Sequence, residues 1–146
     1  MKKIKKIIYV AAVVKDSDEL KKHIDPRMEN RYCHHVTLKY GGIDELPEFI
    51  GREIGFGAGI KAYNDKAVAL FGCVDDFDAF RYAGLQQQQH ITICTANGVA
   101  PVYSNQLKDE GCCERIEIIN VPCTIGAFVV FDDESTGWVF DKEGDK

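Results

Sequence analysis

The sequence predicts an α+β fold of mainly antiparallel strands, in one domain covering residues 1–146. About seven or eight short segments rich in β-branched and aromatic residues recur along the chain, as strands require. Only about two or three segments suit helices, and all of them are short. The long crossover helices that connect parallel strands are missing, which argues against a doubly wound parallel sheet.

The first half of the chain is predicted to supply about four strands. Residues 4–14, "IKKIIYVAAVV", form a buried strand because the run is rich in Ile and Val. A signal peptide is the alternative for this basic and then apolar start, but the apolar run is short. A short helix over 16–24 ends at Asp25-Pro26. The other elements are a strand at 33–40, a helical turn or loop at 46–52, and a hairpin with arms at 53–61 and 66–74.

The second half mixes short helices with strands. "DDFDAFRYAG" predicts a helix at 75–84 that could extend to Leu85. Ser104 is expected to cap a second helix that ends near Glu110. Strands are predicted at 90–95, 114–119, 121–133 and 137–141, with an acidic turn between the last two.

The composition disfavours several classes of protein. The net charge of −5 does not suit a binder of long nucleic acid, because such binding neutralises many phosphates. No apolar run reaches the roughly 20 residues that cross a bilayer, so no membrane partner is expected. No CxxC pair occurs, and four of the six cysteines lie in apolar, strand-like segments. Free thiols in a reduced, cytoplasmic protein are therefore expected. Those four are Cys33, Cys73, Cys94 and Cys123.

The pattern His-x-Thr-apolar is written twice, as "HVTL" from His35 and "HITI" from His90. Alternate residues of a strand share a face, so each copy presents one imidazole and one hydroxyl while its apolar residues enter the core. Two imidazoles can act as general base and general acid, and two hydroxyls can donate to phosphate oxygens. If the strands are neighbours, the pattern predicts phosphodiester cleavage without a metal. The predicted catalytic residues are His35, Thr37, His90 and Thr92.

Other interpretations of the histidines stay open. Each His-x-Thr could be an ordinary half-exposed strand face, although repetition argues against this. A zinc site built from His34, His35, His90 and a carboxylate lacks fixed ligand spacing and the cysteine that structural zinc usually recruits. His34 is expected to point away from His35, because neighbouring strand residues face opposite ways. His23 is expected at the surface.

The doubled motif resembles that of the two-histidine phosphoesterase superfamily. The stretch "HITICTANGVAPVYSNQL" is similar to the continuation of the second motif in two groups: the phosphodiesterase domain of fungal and plant tRNA ligases, and the phage anti-CBASS nucleases. "GREIGFGAGIKAYNDKAVAL" resembles the hairpin between the motifs, so the likeness covers most of residues 33–131. The resemblance implies two pseudo-symmetric lobes of antiparallel strands around a central cleft. It also implies catalysis without metal or cofactor.

The resemblance implies two possible substrates for the same four residues. Anti-CBASS nucleases cleave 3′–5′ bonds of cyclic di- and trinucleotide signals and so evade host immunity, whereas the tRNA-ligase group opens RNA 2′,3′-cyclic phosphates. The acidic chain, with no ligase or kinase segment, favours a small cyclic oligonucleotide, in the host cytoplasm if the protein is phage-encoded. A non-catalytic nucleotide binder is the third alternative. Tyr9, Trp138 and Tyr103 are predicted to contact substrate bases by stacking.

Overall fold

The computed structural model describes residues 2–84 and 88–142 and has an antiparallel α+β fold. Its helices are short: α1 (Asp18–Lys21), α2 (Phe77–Ala83) and α3 (Ser104–Glu110), the last preceded by a 3-10 turn at Pro101–Tyr103. None of the described helices has the length and apolar character that a membrane span needs. The described strands are β1 (Ile4–Val14), β2 (Asn30–Arg31), β3 (His35–Tyr40), β4 (Glu53–Tyr63), β5 (Ala67–Val74), β6 (His90–Thr95), β7 (Cys112–Phe131) and β8 (Thr136–Val139).

Strand pairing among the described residues is antiparallel throughout and follows the order β1-β3-β6-β5-β4-β7-β8, with β2 beside β6. The first part of β7 pairs with β4, and its last part lies between β1 and β8. A single opposed pair, Val36 and Ile91, joins β3 to β6. Two runs of strands therefore share β7 on one side and meet through the two motif strands on the other.

Most predicted elements are confirmed, and the differences have local causes. The strands at 4–14 and 90–95 have the predicted bounds, and the hairpin forms as β4 and β5. The helix predicted at 16–24 is only one turn long. Of the two alternatives predicted for 46–52, the loop is the one observed, with turns at 48–51. The strands predicted at 114–119 and 121–133 are continuous in β7, because β4 and then β1 and β8 supply partners along its length. The extension of α2 to Leu85 lies outside the described residues.

The apolar positions of the two motifs anchor both strands in the core. Val36, Leu38, Ile91 and Ile93 have no solvent exposure and belong to the main cluster of buried side chains. Burying a side chain of this size contributes about 1.5–3 kcal/mol. The core therefore fixes which face of β3 and β6 carries the polar residues.

The six cysteines are free thiols, as predicted. Cys33, Cys94 and Cys123 are buried. Cys73 is exposed, although its segment is apolar, and it lies near the end of β5. Burial raises the pKa of the Cys33 thiol to about 11 and that of Cys123 to about 12, so these groups are packed as small apolar side chains.

Candidate active site

The two His-x-Thr motifs lie on neighbouring strands and open into one cavity. Both copies have the same burial pattern, in which His and Thr are half-buried and the residues between them are fully buried. The cavity has a volume of about 950 Å³. His35, Thr37, His90 and Thr92 all line it, so the structure brings together the four residues that the sequence singled out.

A β-bulge follows the threonine in each copy. On β3, Leu38 has no partner on β1, because Thr37 pairs with Ala11 and the next pair is Lys39 with Val10. On β6, the same motif position, Ile93, has no partner on β5. Bulges bend a strand and redirect its side chains. Each one therefore lets a motif strand curve around the cavity while its apolar residue remains buried.

Each motif threonine lies opposite a small residue on its outer neighbour strand. Ala11 on β1 is opposite Thr37, and Ala69 on β5 is opposite Thr92. Both alanines are fully buried. The two copies therefore have the same small partner at the threonine position.

His35 lies in an aromatic environment. The Tyr9 ring stacks on it with centroids 5.3 Å apart, and the Trp138 ring is 5.7 Å away. Burial, followed by the charges of His34 and His90, lowers the pKa of His35 to about 4. At neutral pH, His35 is a neutral imidazole that can accept a proton.

His34 faces the cavity together with His35, so the prediction that it points away is wrong. The Nδ1 atoms of the two rings are 2.9 Å apart, within hydrogen-bond distance. The cause is an irregular backbone. Cys33 adopts a left-handed φ of 57°, and its N–H donates to the Thr92 carbonyl. Val36 is already opposite Ile91, so the two intervening histidines bulge out of the β3–β6 ladder.

His90 is supported by the main chain rather than by a second histidine. Its Nδ1 lies 2.9 Å from the Gln88 carbonyl oxygen, which accepts a hydrogen bond from Nδ1–H and leaves Nε2 for the cavity. The Phe71 ring lies 5.0 Å from the imidazole. Burial lowers the pKa of His90, while the Gln88 carbonyl opposes that shift by favouring the protonated ring.

The two threonines differ in their partners. Thr92 Oγ1 is 2.8 Å from Ser104 Oγ, and Ser104 is fully buried. Ser104 was predicted to cap α3, but it is the first residue of that helix, and Tyr103 occupies the cap position without a side-chain bond. The Ser104 hydroxyl is directed to Thr92 instead. This contact links the "PVYSN" segment to the second motif.

A row of four aromatic rings crosses the sheet beside His35. Tyr40 on β3 is opposite Tyr9 on β1, Tyr9 is opposite Phe128 on β7, and Phe128 is opposite Trp138 on β8. Successive ring centroids are 5.4–5.9 Å apart. Tyr40 is 73% exposed, and the other three are half-buried. Burial and the neighbouring Tyr40 raise the pKa of Tyr9. Of this row only Tyr40 lines the cavity, whereas the predicted contact residues Tyr9 and Trp138 do not, and both pack against His35 instead.

Tyr103 is not brought into the lining of the cavity. Asn64 donates to its hydroxyl, which in turn donates to Glu110. Its ring packs against the small cluster beneath α3. These contacts tie the turn of the β4–β5 hairpin to α3.

The described cavity wall carries no Lys, Arg, Asp or Glu. Its polar character comes from the motif residues, His34 and a few neutral side chains that sequence reasoning missed. Asn105 is one of these neutral residues. It follows Ser104 in the first turn of α3, and its place directly after the second motif's continuation could have indicated that it lines the cavity. Tyr32, Tyr40, Gln88, Pro101 and Val102 complete the wall.

Within residues 2–84 and 88–142, no three His, Cys, Asp or Glu side chains lie close enough to hold a metal ion together. The zinc interpretation of His34, His35 and His90 therefore gains no support from the described residues.

Comparison of the chain with protein-family models, with curated proteins and with solved structures gives no match in any of the three.

Proposed function

We propose that this protein is a metal-independent phosphodiesterase that hydrolyses 3′–5′ bonds of cyclic di- and trinucleotides by two-histidine acid–base catalysis. The observation that carries the proposal is the convergence of His35, Thr37, His90 and Thr92 on one cavity. The resemblance of the doubled motif to two-histidine phosphoesterases supports the same chemistry. An anti-CBASS role in immune evasion follows from that resemblance.

In this mechanism His35 is the general base and His90 is the general acid. His35 Nε2 takes the proton of a ribose 2′-hydroxyl, whose oxygen attacks the adjacent phosphorus. The bond from phosphorus to the 5′ oxygen breaks, and His90 gives that oxygen a proton from Nε2. Water then opens the resulting 2′,3′-cyclic phosphate, with the proton transfers reversed. Each such transfer typically contributes about 100- to 10,000-fold in rate.

The assignment of base and acid rests on the support of each ring. The low pKa of His35, about 4, keeps it neutral and able to accept a proton. The Gln88 carbonyl favours the protonated form of His90. A bound phosphate adds a negative charge beside both rings and raises their pKa values. His90 is the one that becomes protonated first, since its Nδ1–H is already held by an acceptor.

The threonines and the aromatic row account for substrate binding. Thr37 and Thr92 donate hydrogen bonds to the non-bridging phosphate oxygens. Tyr9 and Trp138, which pack against His35 outside the cavity lining, are the proposed stacking partners of a base, a contact worth about 1–3 kcal/mol that tolerates base identity. The wall has no Lys or Arg among the described residues. A small cyclic ligand suits such a site better than a long polyanion.

The strand pairing supports the two-lobed architecture proposed from the resemblance. One run of strands, β3-β1-β7-β8, carries the first motif, and the other, β6-β5-β4-β7, carries the second. The matching bulges at Leu38 and Ile93 are consistent with pseudo-symmetric halves around a cleft.

Incubation of the protein with a panel of cyclic di- and trinucleotides in EDTA, followed by mass spectrometry, tests this proposal. We expect linear products from the wild type and none at matched times from His35→Ala or His90→Ala. A parallel reaction offers an RNA oligonucleotide with a terminal 2′,3′-cyclic phosphate. If only that RNA is cleaved, the substrate is an RNA 2′,3′-cyclic phosphate and not a cyclic oligonucleotide. If the cyclic nucleotide is recovered bound and intact, the protein is a nucleotide binder and not an enzyme.

A further inference from the structure

We propose that His34 is a positioning residue for His35, acting through a hydrogen bond between the two Nδ1 atoms that leaves Nε2 of His35 directed at the reacting oxygen. The inference rests on the proposed function for its catalytic consequence, but the hydrogen bond itself can be tested without any substrate.

The geometry makes this contact specific. The Nδ1 atoms are 2.9 Å apart, and the two rings are nearly perpendicular at 85°, with centroids 5.1 Å apart. Two neutral imidazoles at this distance must share one hydrogen, since a nitrogen of one has to donate to the lone pair of the other. When His35 donates, its Nε2 keeps a free lone pair, which is the tautomer that a general base requires.

A strained backbone holds the pair in place. Cys33 is buried and has a φ of 57°. Residues other than glycine and asparagine rarely adopt this left-handed backbone conformation. Strained residues of this kind persist where the surroundings fix them, and they cluster at functional sites. Here the left-handed residue produces the two-residue bulge that turns both histidines towards the cavity. In a regular strand the two rings would be on opposite faces.

His34 also complements the stacking contacts of His35. Tyr9 covers one face of the His35 ring, and Trp138 lies 5.5 Å from His34 and 5.7 Å from His35. These contacts restrict the tilt of the ring, but none of them bonds to Nδ1. His34 supplies that missing bond. It is itself exposed, so it can exchange protons with solvent.

The direct test uses ¹⁵N-labelled full-length protein and measures scalar coupling across the N–H···N bond between the two imidazoles. We expect a coupled Nδ1 pair at neutral pH that disappears in His34→Ala. Absence of coupling in the wild type would overturn the proposal, whether or not any substrate is cleaved. This outcome is therefore separate from a failure of the proposed function, which the substrate panel detects.

Kinetics then separates positioning from a merely structural role. We expect His34→Ala to lower kcat about tenfold, the value of one hydrogen bond, with KM within about twofold. His34→Asn places an oxygen near the Nδ1 position and should restore kcat to within about threefold of wild type. His23→Ala, a histidine outside the cavity, is the matched control and should leave kcat unchanged. A wild-type kcat in His34→Ala would overturn the proposal.

The pH dependence of kcat/KM distinguishes a positioning role from a structural one, because a loss of folded protein lowers the rate without changing the pKa of His35. The titratable side chains facing His35 are His34 beside it, Tyr9 on β1 and His90 on β6. Removing the charge of His34 raises the pKa of His35, so the acidic limb of kcat/KM should move to higher pH in both His34→Ala and His34→Asn. An acidic limb that does not move in either variant contradicts the contact.

The backbone offers an independent control. Cys33→Gly accepts the left-handed conformation and should preserve the Nδ1 coupling. Cys33→Val opposes that conformation, because a β-branched residue is disfavoured there, and should lose the coupling. Equal coupling in the two variants would show that the bulge does not hold the pair.

Discussion

The two copies of the motif are alike in their strands and different in their supports. Both have the same burial pattern, a bulge at the fourth position and an alanine opposite the threonine. Both histidines also have an aromatic ring close to the imidazole, Tyr9 in one copy and Phe71 in the other. The two copies differ in the hydrogen-bond partners of their histidines and threonines.

In the first copy, the Nδ1 of His35 contacts an exposed side chain, that of His34, and its threonine has no side-chain hydrogen bond among the described residues. In the second copy, the Nδ1 of His90 contacts the Gln88 carbonyl, and Thr92 is bonded to a buried serine. Strand geometry therefore fixes where the four groups lie. The neighbours of each group determine its protonation and rigidity.

Removing either motif histidine gives the largest expected effect. We expect His35→Ala and His90→Ala each to reduce kcat/KM by at least several hundred-fold, because each removes one proton-transfer partner. The double variant should lose much less than the product of the two effects, since the residues act as a unit. Steady-state kinetics on a cleaved cyclic dinucleotide measures all three. A variant that keeps full activity would show that only one copy is catalytic.

The second prediction concerns how the histidine of the first copy, His35, makes stability depend on pH. The pKa of His35 falls from about 6.5 in the unfolded chain to about 4 in the folded protein. The unfolded state thus binds more protons between these values, and the free energy of unfolding decreases as the pH falls. We expect His35 to account for about 2–3 kcal/mol of the loss between pH 7 and pH 4.5. Urea unfolding at both pH values should show a smaller loss in His35→Gln. An unchanged pH dependence in that variant would mean that His35 is not held neutral by the fold.

The third prediction concerns the threonines. Thr37→Val and Thr92→Val should each slow cleavage about 10- to 100-fold, because each removes a hydrogen bond to a charged phosphate. Only Thr92→Val should also lower the free energy of unfolding, by about 1–3 kcal/mol, since it leaves the buried Ser104 hydroxyl unpaired. Thermal or urea unfolding measures this difference. Thr92→Ser keeps the hydroxyl and serves as the control. Equal stability losses in the two valine variants would contradict the asymmetry.

The sequence predicted the positions of the motif groups well, because strand alternation is a local property. "HVTL" and "HITI" fixed which side chains share a face, and their apolar residues are buried as expected. Local alternation failed at His34, where the φ of Cys33 breaks the regular strand. No residue pattern marked that position, since cysteine is not typical of left-handed turns. Ser104 was misassigned for a related reason, since its partner Thr92 comes from a strand twelve residues earlier.

The smallest expected effect tests whether substrate bases use the aromatic row, which lies on the side of the first copy. Trp138→Ala should raise KM about 5- to 100-fold with little change in kcat, because stacking contributes about 1–3 kcal/mol per base to binding. Tyr103→Phe removes only the hydroxyl that bonds to Asn64 and Glu110, and it should change KM by less than about twofold, because that hydroxyl is already engaged within the protein. An unchanged KM in Trp138→Ala would show that the bases do not use the aromatic row. The comparison of KM in Trp138→Ala with KM in Tyr103→Phe therefore separates loss of a stacking ring from loss of a hydroxyl that serves only the fold.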